Sequence, residues 1–401
     1  MPALLFLAAA ALSADNSVGF RSPVSTGDYG DAAVPLTWSA DQNVAWKTDL
    51  PGPGASSPVI FEDRIYLTCA TGEVESLSYH VLCFDAKDGS EVWRFTTPQT
   101  AFRKPNVGFV ALHGFASAST AVDGTGVYAS FGPEGVFSLD LEGNERWRAK
   151  VGDNTHAFGT APSPAIAGDV LVVNASVESG RLIGFDKATG EQKWEAGDVK
   201  RAWSTPVIVE AGGRTECVLS MEDHLAAYDP ATGGELWRVE GVHDYICPSP
   251  AVKDGVLYAI GGRKNTATAV KAGPVDGDRV LWRIGEGSNV PSACLVDGLL
   301  FWVHQDSGVT TCVDAATGEV NYKKRLDPKP GRTYASPVAA NGRVYVVTRE
   351  AGTYVLPARP EFEILAVNDL GDDSVFNGTP AVYGDALILR SDAALYSIAG
   401  D

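Results

Sequence analysis

Residues 229–237, Asp-Pro-Ala-Thr-Gly-Gly-Glu-Leu-Trp, read as the end of one strand, a tight turn and the start of the next strand. An Asp side chain accepts backbone N–H groups two residues on, and Gly takes the positive φ that such turns require. Trp237 then stands on the new strand as a large apolar anchor. The phrase recurs. Asp186-Lys-Ala-Thr-Gly190 leads to Trp194, Asp85-Ala-Lys-Asp-Gly89 to Trp93, and the shorter Asp140-Leu-Glu-Gly143 to Trp147. Asp314-Ala-Ala-Thr-Gly318 leads to Tyr322, and a looser Asp276-Gly-Asp-Arg leads to Trp282. Recurrence at near-constant spacing marks a repeat protein.

A second signature opens each repeat: a small hydroxyl residue, usually followed by Pro, then alternating apolar residues. It occurs at Ser57, Ser163, Thr205, Ser249, Ser336 and Thr379, with copies lacking the Pro at Ser119 and Ser292. From Ser119 onward the spacings are 44, 42, 44, 43, 44 and 43 residues, whereas Ser57 to Ser119 spans 62, which places an insertion at residues 96–117. Each period holds four short strands, the pattern of propeller blades. Eight openings predict an all-β, eight-bladed propeller of four-stranded antiparallel blades over residues 43–401. The last repeat stops one strand short, and the orphan strand around Trp46 completes it, which pairs two sheet edges that would otherwise be exposed. The structural docking slots then read Trp46, Trp93, Trp147, Trp194, Trp237, Trp282, Tyr322 and Leu365.

The chain has 401 residues, 45% hydrophobic and 20% charged, with 43 Gly and 23 Pro, as expected of a hairpin-rich fold with a large core. Its net charge of −18 argues against nucleic acid or anionic lipid as a non-specific partner. The apolar run at residues 2–12, followed by Ser13-Ala14, reads as a signal peptide over residues 1–14 and predicts an exported, periplasmic or extracellular protein. Residues 15–42 read as an irregular lead-in, and no segment is long and apolar enough for a membrane helix. Of six cysteines, Cys69 and Cys83 fall on neighbouring strands and are the candidate disulfide pair. The six His show no zinc spacing, so no metal site is expected, and no catalytic motif stands out. No oligomer signal is readable, and a monomer is expected.

In a propeller, ligands meet the loops that join the outer strand of one blade to the inner strand of the next. These loops carry His113, His156, Trp203, Tyr245, Asn289, Tyr334 and Asn377, with Arg103, Lys104, Lys200, Arg201 and Arg332 nearby. Aromatic and amide groups converging on an axis suit a peptide or small polar molecule; the plainer alternative is that they plug the channel or face water.

The Ser-Pro openings, the Ala-Thr-Gly-x-x-x-Trp turns and the eight-fold period resemble the PQQ-like β-propeller repeat family over roughly residues 38–401. That group includes the pyrroloquinoline quinone (PQQ) alcohol dehydrogenases and the propeller lipoprotein of the outer-membrane β-barrel assembly machinery. The resemblance implies three readings. One is a non-catalytic binding scaffold whose partner, another protein or a small polar ligand, meets the central funnel or blade-connecting loops. The others are a quinoprotein dehydrogenase using PQQ and calcium, and an envelope assembly factor. The chain departs from the dehydrogenase pattern in lacking adjacent cysteines and the insertions that build the enzyme's site. Trp203 and Trp302, outside the docking slots, are the aromatics available to stack on a ligand, and the expected cofactor set is empty outside the quinoprotein reading.

Overall fold

Eight sheets of four antiparallel strands each, seven of them simple meanders, follow one another around an axis. The computed structural model describes residues 19–21, 25–101, 108–264 and 266–400; the apolar N-terminal run, Arg103 and Lys104 lie outside them. Blade 1, opened by Ser57, contains strands Val59–Phe61, Arg64–Thr71, Ser78–Asp85 and Glu91–Pro98. Blades 2 to 8 open at Ser119, Ser163, Thr205, Ser249, Ser292, Ser336 and Thr379. The last blade is closed as predicted: strand Val44–Asp49 pairs antiparallel with Ala394–Ile398, placing Trp46 opposite Ser397.

The two sequence signatures meet near the rim. Asp186 Oδ1 accepts the N–H groups of Ala188 (3.1 Å) and Thr189 (3.0 Å), and Gly190 adopts φ 76°. Trp147 of the preceding blade lies on that turn, and its indole donates to the Lys187 carbonyl at 3.0 Å. A Cβ on Gly190 would stand 2.6 Å from the Trp147 ring, so the glycine serves both the turn and the close approach. The same lock joins Trp46 to the turn at Gly89, Trp93 to Gly143, Trp194 to Gly233 and Trp282 to Gly318. In these five blades the tryptophan docks in the turn of the next.

The three remaining slots are built differently. The degenerate turn at Asp276 offers no seat for Trp237, whose indole donates instead to the buried Glu216 carboxylate at 2.8 Å, with the Arg279 guanidinium 4.3 Å from its ring centre. Tyr322 meets Phe362 edge-on at 5.4 Å. Leu365 is only partly buried, and the wedge between blades 7 and 8 is filled mainly by Trp38, which is 4% exposed and stacks on Tyr345 at 6.2 Å.

At the axis the opening residues form a closed circuit. The Ser57 N–H donates to Ser119 Oγ (2.8 Å), Ser119 to Ser163 (2.9 Å), Ser163 to Thr205 (3.0 Å) and Thr205 to Ser249 (2.9 Å). Ser249 donates to Ser292, Ser292 to Ser336, Ser336 to Thr379 and Thr379 back to Ser57, each at 3.0 Å. Every one of these hydroxyl oxygens accepts from the blade before it.

The lead-in is more ordered than its composition suggests. Thr26, Gly27 and Gly30 carbonyls accept the N–H groups of Leu295, Ala339 and Asn341, so this segment lies along the inner strands of blades 6 and 7. Arg21 donates to the Ala293 carbonyl at 2.5 Å, while a Cβ on Gly19 would lie 3.8 Å from carbonyls of Thr120 and Pro164 in blades 2 and 3. The N-terminal segment therefore crosses the central channel.

The expected Cys69–Cys83 bridge does not form, and both are free thiols. Cys69 pairs with His80 and Cys83 with Tyr66, three positions apart along the ladder. An odd offset puts the two side chains on opposite faces of the sheet. Cys69 packs toward blade 8 and Cys83 toward blade 2.

Two outcomes follow. Gly213 has φ 79° with open space around its Cβ position; Gly213→Ala is expected to cost about 1–2 kcal/mol, and Gly190→Ala about 2–4 kcal/mol because Trp147 must also move. Chemical denaturation checks the difference, and equal costs would contradict the lock. Burial holds Cys69 at about 11, and Cys83 and Cys247 at about 12, so little reactive thiolate exists in the folded protein. Titration with a thiol reagent at pH 8 is expected to find no fast thiol in the native protein and six in denaturant; four would restore the bridge.

Candidate functional site

In a four-stranded meander the outer-to-inner connections and the hairpins between the second and third strands emerge on the same face. At the centre of that face lies a cavity of about 420 Å³. All eight hydroxyl residues of the axial circuit line it, and among the described residues none of those hydroxyls has an acceptor for its own proton.

Of the residues expected at the site, His113, Trp203, Tyr245, Asn289, Arg332, Tyr334 and Asn377 line the funnel. His156 and Arg201 do not. His156 is exposed at the rim, edge-on to Trp203 at 5.0 Å, and Arg201 turns outward to Glu222 at 3.0 Å. Lys200 likewise pairs with Asp198 at 2.6 Å, and Trp302 is buried within blade 6. Sequence reasoning missed Arg263, Gln305 and Asp306 because they sit on second-to-third-strand hairpins, which the period places on the same face. It also missed Phe109 and Phe158, one beside His113 and the other two residues past His156.

The funnel is two-sided. On one side Phe158 lies 5.5 Å from Trp203 and 5.0 Å from Tyr245, with ring planes inclined at 54° and 57°. Phe109 meets Phe158 edge-on at 4.8 Å. The Trp203 indole donates to the Gly159 carbonyl at 2.9 Å, which fixes the ring. The other side is polar. Arg332 pairs with Asp306 at 3.3 Å, and Arg263 pairs with Asp244 at 2.6 Å while lying over the Tyr245 ring. Asn289, 5% exposed, donates its backbone N–H to Gln305 Oε1 at 3.0 Å and its Nδ2 to the Tyr245 hydroxyl at 2.7 Å. Its Oδ1 has no hydrogen-bond partner among the described residues.

Within the insertion, residues 108–117 form a strap beside the mouth. Its 3-10 turn Val110–Leu112 presents the Leu112 carbonyl to Arg349 Nη1 (2.5 Å) and Asn377 Nδ2 (2.9 Å), tying it to blades 7 and 8. Arg349, 5% exposed, is held over Tyr334 at 4.9 Å and also donates to Asn377 Oδ1. At the start of the insertion the buried Glu134 carboxylate accepts the backbone N–H groups of Thr100 and Ala101. His113 ties the strap to blade 3: Nε2 donates to the Phe158 carbonyl at 2.8 Å, so Nδ1, 2.5 Å from Ser117 Oγ, is the acceptor.

Burial holds the His113 pKa below that of ordinary imidazole, with the Arg349 charge adding to this and the Phe158 carbonyl opposing it. An opened strap takes up a proton as the pH falls below about 6.5, and the closed one resists it. The hold is therefore complete above that pH and weakens below it. Hydrogen exchange of residues 108–117, corrected for intrinsic rates, is expected to show more opening at pH 5.5 than at 7.5, and His113→Gln to remove the difference. Equal protection at both pH values in the unaltered protein would contradict this role.

A family model described as outer membrane protein assembly factor BamB matches residues 30–195, 178–283 and 263–359. The outer membrane protein assembly factor BamB of Burkholderia pseudomallei is 24% identical over 407 residues, covering 84% of this chain and 94% of that protein. The crystal structure of BamB from Moraxella catarrhalis superposes with TM-score 0.64 at 16% identity, over 88% of this chain and 95% of that one. A europium-containing methanol dehydrogenase superposes with TM-score 0.70 at 13% identity, over 95% and 90% respectively, a likeness of fold. By the extent of the family match, the chain belongs to the BamB family of PQQ-like propellers.

Proposed function

We propose that this protein is a non-catalytic binding propeller of the cell envelope whose ligand is taken into the funnel. The observation that carries the reading is the funnel's lining: an aromatic wall facing amides and paired charges over a floor of hydroxyl groups. Such a mixture binds and orients a ligand. Its one hydroxyl–imidazole pair among the described lining residues is Ser117 Oγ and His113 Nδ1 at 2.5 Å. The far ring nitrogen is held by the Phe158 carbonyl and not by a carboxylate, and burial lowers the basicity of the ring. Export rests on the apolar N-terminal run and on the outer-membrane role in the relatives' names.

The quinoprotein alternative asks for a cation held by several oxygen donors, carboxylates among them. Asp306 is the single carboxylate among the described lining residues, and it is paired with Arg332. Among the described residues no group of three or more His, Cys, Asp or Glu could hold a metal. Trp203 is 6% exposed and packed by its neighbours, so it offers little face to a flat cofactor. The funnel's donor set does not fit a cation-bound quinone.

Calorimetry with PQQ and calcium is expected to show no saturable binding, and alcohols plus an electron-accepting dye no turnover. Native mass spectrometry of protein isolated from the exported fraction of its own host is expected to show a small-molecule adduct that Tyr245→Ala removes. Saturable PQQ binding would move the assignment to a dehydrogenase. A stoichiometric protein partner without any adduct would favour the assembly-factor reading.

A further inference from the structure

Resting on the reading that the funnel is the binding site, we propose that its ligand is a neutral saccharide, a mono- or disaccharide or the end of a longer glycan.

Charge is the first constraint. The two lining arginines are already matched, Arg332 by Asp306 at 3.3 Å and Arg263 by Asp244 at 2.6 Å. Arg349 behind them commits its Nη1 to the Leu112 carbonyl and to Asn377 Oδ1. An anionic ligand would have to compete with carboxylates already in place, and the chain as a whole carries −18. Each lining cation already has its own carboxylate, and although these part-exposed pairs are individually weak, together they favour a neutral ligand over an anion.

Shape is the second. Phe158 and Tyr245 form a concave wall with planes inclined at 57°, and the buried Trp203 packs against both from behind. Among the described residues, the lining rings that touch one another are all inclined and none lies parallel to its neighbour. The C–H face of a pyranose is apolar and puckered, carries a small positive potential, and lies against a single aromatic face or the angle between two. The volume of about 420 Å³ lies within the usual range for a small-molecule site, roughly 300–1,000 Å³.

Hydrogen bonding is the third. Around Phe20 the floor presents the eight hydroxyl groups of the circuit, and the polar wall presents Asn289, nine-tenths buried with an Oδ1 that has no partner among the described residues. Turning the amide over would leave Nδ2 unpaired instead. An alcohol group serves either orientation, since it both donates and accepts. A ligand that is apolar on one face, rimmed with groups that donate and accept, and uncharged matches all three constraints, and a sugar is the chemical class with that combination. A buried amide left unpaired is also a selective element, because it rejects a ligand that lacks the matching group.

The test uses the full chain on an array of neutral and acidic glycans, followed by titration of maltose, cellobiose and N,N′-diacetylchitobiose monitored by tryptophan fluorescence. At least one neutral glycan is expected to bind, with Asn289→Ala and Phe158→Leu each weakening it about tenfold or more at an unchanged melting temperature. The Phe158→Leu variant keeps an apolar side chain and the backbone carbonyl that His113 uses, so it guards against a folding defect in Asn289→Ala. Binding that both well-folded variants leave intact would overturn the assignment, as would binding of acidic glycans alone. Silence of every glycan would also overturn it. In that case, titration with acetyl-Phe-Trp-amide and with inorganic phosphate separates the two claims. A response that Asn289→Ala weakens keeps the funnel as the site of a different ligand class. No response to any probe, together with a protein partner cross-linked outside the funnel, would remove both.

Discussion

The structure depends on the circuit of backbone N–H to hydroxyl bonds at its axis. Eight inner strands converge there, where the backbone is buried, and a buried N–H without a partner is costly. A Ser or Thr at each opening solves this with one atom, because its oxygen accepts from one neighbour while its backbone donates to the other. The Pro that follows six of the eight removes the next N–H from the crowded axis and biases the hydroxyl residue toward extended backbone. Every bond runs in the same rotational sense, so the circuit has no end. Loss of one hydroxyl would leave an orphan donor and open the ring.

Both recurrent signatures were legible in the sequence because each carries out a job that every blade shares. The hydroxyl residues close the axis, and the Asp-turn with its Gly seats the tryptophan of the preceding blade near the rim. What the repeat could not reveal is where a blade departs from it. Trp237 looked like its fellows, yet its degenerate partner turn forces a substitute built from Glu216 and Arg279. Leu365 marked a weak slot, and the residue that fills it, Trp38, came from a segment whose composition showed no pattern at all. A pairing between residues hundreds of positions apart leaves no local periodicity to read. The cysteines failed for a related reason: adjacency of strands is set by topology, but facing of side chains is set by register, and a three-residue offset reverses it.

The site was half legible. Connecting loops were the right places to look, and most residues chosen there do line the funnel. The hairpins that share their face were overlooked, although the alternation of a meander requires them to be there. Those hairpins supply the charged members Arg263 and Asp306, and also Arg349, which holds the strap. The strap escaped for a further reason. Its anchoring group is a backbone carbonyl, that of Leu112, and main-chain atoms are not written in side-chain letters.

Symmetry and function therefore divide along the chain. Positions fixed by the repeat face inward along the circuit or outward into the wedges, and changing them threatens closure. The loops on the funnel face belong to no shared constraint, so aromatic residues can gather on the blade 2 to 5 side while amides and paired charges gather opposite. A frame that closes by its own backbone leaves its loops free to vary, which is how one propeller can serve oxidoreductases and assembly factors alike. It also explains why the floor of the funnel is polar whatever the walls become. The hydroxyls that hold the blades together accept with their oxygens and keep their protons, so any ligand reaching the axis meets a ring of donors that the fold itself put there.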